Sequence, residues 1–196
     1  EPVRQQGREE EEQVHAREEA VRRTEEEKDI EARKGNIIMY RVPEDKKLKT
    51  EERRKADRAF VEEMCQEVFG VSVSADEDII KMFRLGALPE DDRVRPLLVS
   101  FKDTGKKEAV MSNLRKLKSN EGKFSEIGVS HDLTPRQRKA VQVLLEEARK
   151  EQQTANGEDK ENYKFIVVGG NSKPRVVRIK KQRKQTEDSQ ESLDEH

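Results

Sequence analysis

The chain has 196 residues, of which 42% are charged and only 31% hydrophobic, so it cannot pack as a single globule and part of it must be solvated helix or tail. The single cysteine, Cys65, excludes an intramolecular disulfide and a thiolate metal cluster, which favours a reducing compartment. No apolar run approaches the roughly 20 residues that span a bilayer, and no signal-peptide pattern opens the sequence.

Charge is segregated along the chain, although its net charge at pH 7 is only −1. Residues 173–184 contain seven Lys and Arg and no acid, whereas residues 185–196 contain five Asp and Glu and no Lys or Arg. Such segregation is typical of a basic interaction segment followed by a solvated acidic tail. We predict that residues 182–196 form a disordered tail.

Residues 1–34 are rich in Glu and Arg and predict a charged helix with two i,i+4 ion pairs, each worth about 0.2–0.5 kcal/mol. These pairs are Glu18 with Arg22 and Glu19 with Arg23. Val14 and Val21 share a heptad position, but Lys28 follows them in the series, so the segment is at best the end of a coiled coil. A single solvated helix is the alternative.

Strand and helix patterns alternate between residues 35 and 131 in the order β-α-β-β-α-β. The strand patterns cover residues 36–43, 79–86, 95–101 and 127–130, and the helix patterns cover residues 50–69 and 106–118. This order predicts an α+β domain with a four-stranded sheet, backed by two helices on one face and open on the other. RNA-recognition motifs and ferredoxin-like domains share that layout.

The first helix of this domain has a recognisable start, buried face and end. Thr50 predicts the N-cap, and Gly70 predicts the end of the helix. The predicted buried face recurs every four residues and consists of Ala56, Phe60, Met64 and Val68. Cys65 lies beside this face and is interpreted as a small core residue, because no motif places a base near it that would make it a nucleophile.

Residues 132–181 predict a small C-terminal domain of one helix and one hairpin. Thr134, Pro135 and Gln137 predict a capped helix start, and the helix pattern continues to about residue 153. Its predicted apolar face consists of Val141, Leu144, Leu145 and Ala148. Strand patterns then cover residues 163–168 and 175–180.

The predicted hairpin combines cations with apolar side chains. Alternation places Arg178 and Lys180 on one face of its second strand and the apolar side chains on the other, which suits a phosphate backbone. Tyr163 and Phe165 share a face of the first strand. They either offer stacking surfaces for bases or belong to the core of the small domain.

The predicted sheet lacks the stacking platform of ordinary RNA-recognition motifs. When the third strand is aligned on Phe101, Pro96 and Leu98 stand where that motif carries aromatic residues, and Ile38 stands at the first-strand position. We therefore expect no base-specific reading by the sheet. Sequence-tolerant binding would rest on the cations of the C-terminal domain together with Arg41, Arg84 and Arg95.

Five motifs follow the charged helix in a fixed order. They are N-I-I-M-Y-R-V-P-E at residues 36–44, F-R-L-G at 83–86, R-P-L-L-V-S-F at 95–101, D-L-T-P-R-Q-R at 132–138 and Y-K-F-I-V-V at 163–168. Over about residues 36–181 the chain thereby resembles the first-open-reading-frame protein of LINE-type non-LTR retrotransposons, the transposase 22 family. The resemblance implies a coiled coil that forms a homotrimer, an atypical RNA-recognition motif and a C-terminal domain.

In that family these parts together bind single-stranded RNA and DNA without strong sequence preference and act as a nucleic-acid chaperone. The resemblance therefore implies a cytoplasmic ribonucleoprotein particle, with the nucleus as an alternative location. It also matches Arg84 and Arg95 to arginines at the end of the second strand and the start of the third. Arg136 and Arg138 match the basic start of the linking helix.

Gly128 departs from the family pattern, because mammalian members carry an RNA-binding arginine there. Either Arg136 or Arg138 takes over the role of that arginine, or the chain binds RNA more weakly than those members do. The complete set of candidate nucleic-acid-binding residues is Arg41, Arg84, Arg95, Arg136, Arg138, Lys139, Tyr163, Lys164, Arg175, Arg178, Lys180 and Lys181.

The alternative function is a protein-interaction module, in which Ile38, Tyr40 and Leu98 on the open sheet face dock a partner chain. An enzyme is not expected, because none of the three histidines has a nucleophile or a paired ligand at workable spacing. The adjacent glycines 169 and 170 join two strands instead of opening a helix, so they do not predict a phosphate-cradling loop. No cofactor, metal or membrane association is predicted.

Overall fold

The computed structural model describes residues 2–169 and 173–181. The chain divides into two compact units, Glu1–Pro135 and Arg136–His196. The predicted tail over residues 182–196 lies outside the described residues, and so do Arg183 and Lys184 of the predicted basic segment. Along the described part of the chain, no helix is long and apolar enough to cross a membrane.

The first helix, α1, spans Pro2–Arg33 without interruption. Both predicted i,i+4 ion pairs form, with N–O distances of 3.6 Å and 3.0 Å. Val14 and Val21, one heptad apart, are each 55% exposed. The helix therefore carries a short apolar seam that the single chain does not bury, and the coiled coil stays a prediction.

The first unit combines one sheet with several helices, which confirms the predicted α+β class. After α1 its elements are β1 Asn36–Tyr40, α2 Thr50–Met64, α3 Ala75–Asp78, β2 Ile79–Arg84, β3 Leu97–Phe101, α4 Thr104–Ser112, α5 Arg115–Lys118 and β4 Gly128–His131. The four strands form an antiparallel sheet in the order β2-β3-β1-β4. A π-helical turn, Cys65–Phe69, extends α2 until Gly70 ends it at φ 68°, a left-handed conformation that favours glycine.

Several element boundaries differ from the prediction by one or two residues, and the N-cap of α2 is Lys49 instead of Thr50. Two larger differences each have a local cause. The first strand ends at Tyr40, because Arg41 has a φ of 61° and turns the chain out of the extended conformation. The predicted helix over residues 106–118 is split into α4 and α5. Between them, the side-chain amide of Asn113 donates to the carbonyl of Ala109 at 2.8 Å, and the Asn113 backbone leaves the α-helical region.

The core lies between the sheet and its helices. Ile37 and Met39 of β1 pair with Val99 and Leu97 of β3, and all four side chains are at most 1% exposed. Burying such side chains is worth about 1.5–3 kcal/mol each, so this row of cross-strand pairs contributes strongly to the unit's stability.

The predicted buried face of α2 is correct at its end and wrong at its start. Met64 and Val68 are buried, but Ala56 is exposed and the carboxylate of Asp57 is buried in its place. Cys65 is 1% exposed, and burial raises the pKa of its thiol to about 12. The thiol is therefore protonated at neutral pH, as expected for a core residue.

The face of the sheet opposite the core is less open than predicted. Ile38 and Leu98 point to that face, yet they are only 7% and 6% exposed. Both lie on the two central strands, so each has cross-strand neighbours on either side. Tyr40 and Phe83 remain 40% and 46% exposed. Two of the three residues predicted to dock a partner chain are therefore inaccessible.

Gly35, between α1 and β1, lies against the backbone of β3. The amide of Phe101 donates to the Gly35 carbonyl at 3.0 Å, and a Cβ at residue 35 would lie 2.7 Å from the Phe101 carbonyl oxygen. We expect Gly35→Ala to lower the free energy of unfolding by about 1–3 kcal/mol, because the two backbones must separate. Thermal unfolding measures this loss. Gly122→Ala is the matched control, since its Cβ meets only the Asn120 side chain, and an equal loss in both variants would contradict the prediction.

The second unit contains one long helix and a hairpin. Its elements are α6 Pro135–Thr154, α7 Glu158–Asn162, β5 Tyr163–Val168 and β6 Arg175–Lys180. On α6 the predicted apolar face is only partly buried: Ala148 is buried, but Leu145 is 42% exposed. The predicted hairpin is confirmed, with β5 and β6 paired antiparallel over their whole length.

Candidate nucleic-acid interface

The register of the hairpin decides which side chains share a face. Tyr163 lies opposite Lys180, and Phe165 lies opposite Arg178. Residues directly opposite in an antiparallel pair point to the same face, so the aromatic and the cationic side chains lie on one surface. The guanidinium carbon of Arg178 is 4.5 Å from the centre of the Tyr163 ring, a cation–π contact. The predicted alternation within β6 is confirmed, but the cationic face also carries the aromatic rings, and the opposite face is not purely apolar.

The other face of the hairpin carries the remaining hairpin cations among aliphatic side chains. Arg175 and Lys164 alternate onto this face, and both are exposed. Lys181 follows β6, and its ammonium donates to the carbonyl of Lys160 at 2.7 Å, while its amide donates to Asn162 at 2.6 Å. Lys181 thus closes the base of the hairpin as well as adding positive charge.

The start of α6 adds a second group of cations. Arg136, Arg138 and Lys139 are all exposed, and none of them forms an ion pair within residues 2–169 and 173–181. Residues 136–181 contain twelve Lys and Arg against six Asp and Glu, a net charge of +6, although the whole chain carries −1. A basic segment of this kind attracts polyanions at long range.

Arg84 is buried in the first unit and makes its contacts within that unit. Its side chain is 5% exposed, and its Nε donates to the Asp57 carboxylate at 3.1 Å, with a second, shorter contact from Nη2. The remaining N–H groups donate to the carbonyls of Val42, Pro43 and Arg95 at 2.8–2.9 Å. All five N–H groups are therefore used, and we leave Arg84 out of the proposed interface.

Arg95 is held in a similar way at the edge of the unit. Its guanidinium binds both carboxylate oxygens of Glu44 and donates to the carbonyl of Gly86 at 3.1 Å. The hydrogen bond from Arg95 holds the pKa of the Glu44 carboxyl below its usual value, and the same bond raises the pKa of Arg95. This bidentate pair fixes the start of β3, so Arg95 too is left out of the interface.

Arg41 is the exposed cation of the first unit's candidate set. Its Nε donates to the carbonyl of Glu126, and its backbone turns with a φ of 61°. A Cβ at Gly128 would lie 3.8 Å from Arg41 Nη2 and 3.6 Å from the side chain of Tyr40. Arg41 therefore places positive charge beside Gly128 and next to an exposed aromatic ring.

His131 gives the first unit a pH-dependent stability. No hydrogen-bond partner of its Nδ1 is found among the described residues. Burial lowers the pKa of His131 below 6.5, and the positive charge of Lys107 lowers it further. The folded state then binds fewer protons than the unfolded state, so its stability falls as the pH drops from 6.5 through the lowered pKa.

We expect His131→Gln to reduce this loss of stability, because the variant has no group that titrates there. Urea unfolding at a series of pH values between neutrality and the onset of carboxylate titration measures the effect. Equal pH dependence in the wild type and the variant would rule out His131 as its source.

Sequence reasoning missed three arginines of α2. Arg53, Arg54 and Arg58 line a cavity at the edge of the sheet together with Arg84 and Arg95. The sequence signal that could have identified them is the pattern R-R-x-x-x-R in the first turns of a helix. Among the described residues, no group of three or more His, Cys, Asp and Glu is placed to hold a metal ion.

Fold and site together define an α+β protein with a four-stranded antiparallel sheet and a separate basic hairpin that carries aromatic side chains. Comparison with models of protein families and with curated proteins finds no match to the chain.

Proposed function

We propose that the chain is a sequence-tolerant binding protein for single-stranded RNA and DNA that acts as a nucleic-acid chaperone in a retrotransposon ribonucleoprotein particle. The observation that carries the proposal is the hairpin surface on which Tyr163 and Phe165 lie beside Arg178 and Lys180. Single-strand binding needs both components, because cations neutralise the backbone and aromatic rings stack on any base.

Each component contributes a different part of the binding free energy. Cations release condensed counterions from the phosphates, with a salt slope of about −0.7 per contact on a single strand. An aromatic side chain adds about 1–3 kcal/mol per stacked base, without regard to the base's identity. Neither component reads base edges, so affinity stays uniform across sequences. Such contacts also exchange readily, which lets strands rearrange as chaperone activity requires.

The first unit is proposed to be an atypical RNA-recognition motif. The strand order β2-β3-β1-β4, with the core on one face only, supports this assignment. Leu98, where the ordinary motif stacks a base, is aliphatic and 6% exposed, so the sheet centre offers no stacking platform. In this proposal the first unit adds Arg41 at its edge, and the second unit supplies most of the affinity.

Homotrimerisation through α1 belongs to the same proposal. The exposed seam of Val14 and Val21 supports it, because apolar side chains one heptad apart need a partner helix to leave water. The motif order that resembles LINE-type first-open-reading-frame proteins supports the ribonucleoprotein context.

Fluorescence anisotropy with labelled single-stranded RNA, single-stranded DNA and duplex, each at low and high salt, tests the proposal. We expect binding to both single strands that is independent of sequence and falls steeply with salt. Absence of binding to single strands at low salt would overturn it.

A further inference from the structure

A cavity of about 220 Å³ lies at the edge of the sheet, between the first turns of α2 and the end of β2. All of its lining residues belong to the first unit. Five of them are arginines and two are carboxylates, Glu44 and Asp57. The lining therefore has an excess of three positive charges in a small space. Such an arrangement is costly unless an anion neutralises it.

Both carboxylates of the cavity are already engaged. Asp57 is held by Arg84, and Glu44 is held by Arg95, each by two contacts to the guanidinium. These four groups form two neutral pairs that build the floor of the cavity. The remaining positive charge of the lining therefore belongs to the three arginines of α2, two of which pair with carboxylates outside the cavity.

Those three arginines have weak partners. Arg53 is half-buried, and among the described residues its guanidinium has one acceptor, the hydroxyl of Thr50, 3.3 Å from Nη2. Arg54 pairs with Glu51 and Arg58 pairs with Asp76, both at 2.8 Å, but these carboxylates are 81% and 82% exposed. Exposed ion pairs of this kind are worth about 0–1 kcal/mol, so a stronger anion displaces them readily.

We propose that this cavity binds the phosphate group of a nucleotide, with Arg53 and Arg58 as its principal ligands. The planar guanidinium matches a phosphate by two parallel hydrogen bonds, which a carboxylate-free arginine such as Arg53 offers without competition. Ordinary ligand pockets measure roughly 300–1,000 Å³, so this cavity takes a phosphate and adjoining atoms rather than a whole cofactor. Met82 and Phe83 complete the wall with apolar surface.

The site shares no residue with the hairpin interface. Its side chains come from α2, from β2 and from Glu44 and Arg95 in the loops, and none of them belongs to the second unit. It rests on the proposed function and extends it, because it gives the first unit a phosphate contact that does not involve the face of the sheet. Its geometry does not depend on the hairpin, so either site can fail without the other.

The full chain is titrated with inorganic phosphate, adenosine monophosphate, the dinucleotide ApA without a terminal phosphate, and adenosine, while its backbone amide resonances are followed by NMR. We expect shifts at Arg53 and Phe83 with adenosine monophosphate and inorganic phosphate, and none with adenosine. ApA shows which phosphate of a strand the cavity binds. Shifts as large as those with the monophosphate mean that it binds an internal phosphodiester. Weaker shifts mean that it binds the terminal phosphate at a strand end.

Arg53→Gln with Arg58→Gln is expected to weaken binding of adenosine monophosphate at least about tenfold, because both bidentate ligands are lost. Arg53→Lys keeps the charge but not the planar fork, and an intermediate loss is expected. Arg93→Gln is the matched control, since Arg93 is 83% exposed and lies outside the cavity. Thermal unfolding of each variant verifies that it is folded.

Two results would overturn the site: no shift at the cavity with millimolar phosphate or adenosine monophosphate, or unchanged binding by the double glutamine variant. The variant Arg175→Ala/Arg178→Ala/Lys180→Ala is expected to keep its cavity shifts. That variant removes cations of the hairpin alone. Failure of single-strand binding at the hairpin and failure of phosphate binding in the cavity are therefore observed separately.

Discussion

Asp57→Ala is expected to lower the free energy of unfolding by about 3–5 kcal/mol, because it leaves the buried guanidinium of Arg84 without its counter-charge. Arg84 is 5% exposed and Asp57 10% exposed along their side chains, so most of the desolvation cost of the guanidinium is left without compensation. Two of the five N–H groups of Arg84 would also lose their acceptor. Urea unfolding followed by circular dichroism measures the loss directly.

Removal of the charge together with its partner is a separate test of the same cause. Asp57→Leu combined with Arg84→Met is expected to cost less than the sum of the two single substitutions, since no buried charge is then left unpaired. The carbonyls of Val42, Pro43 and Arg95 lose their donor in the double variant and in Arg84→Met alike, so this loss does not affect the comparison. Asp91→Ala is the matched control, because the Asp91–Arg93 pair has an N–O distance of 2.7 Å but is exposed. We expect the control to change stability by less than about 1 kcal/mol. Equal losses in Asp57→Ala and Asp91→Ala would contradict the explanation.

The Arg84–Asp57 pair also shows where sequence reasoning reaches its limit. Strand and helix patterns predicted the order of elements through β4, because local periodicity is a property of neighbouring residues. The partner of Arg84 lies 27 positions away on another element, and nothing local marks it. An arginine in an exposed-looking motif was therefore assigned to nucleic acid, although the fold uses it as an internal clamp.

The predicted buried face was wrong at the start of α2 for a related reason. The four-residue spacing of Ala56, Phe60, Met64 and Val68 predicted one straight buried stripe, but an α-helix has 3.6 residues per turn, so such a stripe drifts around the axis. Over the two steps from Met64 back through Phe60, the drift moves Ala56 to the surface and brings Asp57 towards Arg84. A buried acid at that point needs a cation, and Arg84 supplies it from β2.

For the hairpin, the sequence identified the residues of the candidate interface but not which of them share a face. Its two strands and its cations follow from the sequence pattern. Whether Tyr163 lies on the face of Arg178 or on the face of Val177 depends on the register, and a shift by one residue reverses the answer. The observed pairing of Phe165 with Arg178 joins aromatic rings and cations on one surface. This juxtaposition gives the proposed interface its chemistry.

Replacing Arg175, Arg178 and Lys180 by alanine is expected to weaken binding of single-stranded nucleic acid at least about tenfold and equally for unrelated sequences. Phosphate contacts carry no base information, so the loss has no reason to vary with sequence. Arg178 and Lys180 lie on the interface surface and Arg175 on the other face, so two contacts are lost there and the slope of log K against log salt should flatten by about 1.4, about 0.7 for each. Anisotropy titrations at several salt concentrations, with two unrelated single strands, measure both quantities.

The control must remove the same charge from elsewhere on the chain. Lys102→Ala/Arg115→Ala/Lys118→Ala removes three exposed cations from the first unit and leaves the hairpin unchanged. If only the overall field attracts the strand, both triple variants lose affinity alike and the hairpin has no special role. If the hairpin makes the contacts, its variant alone flattens the slope. An unchanged slope in the hairpin variant would remove the phosphate-binding role from β6, whatever the loss in affinity.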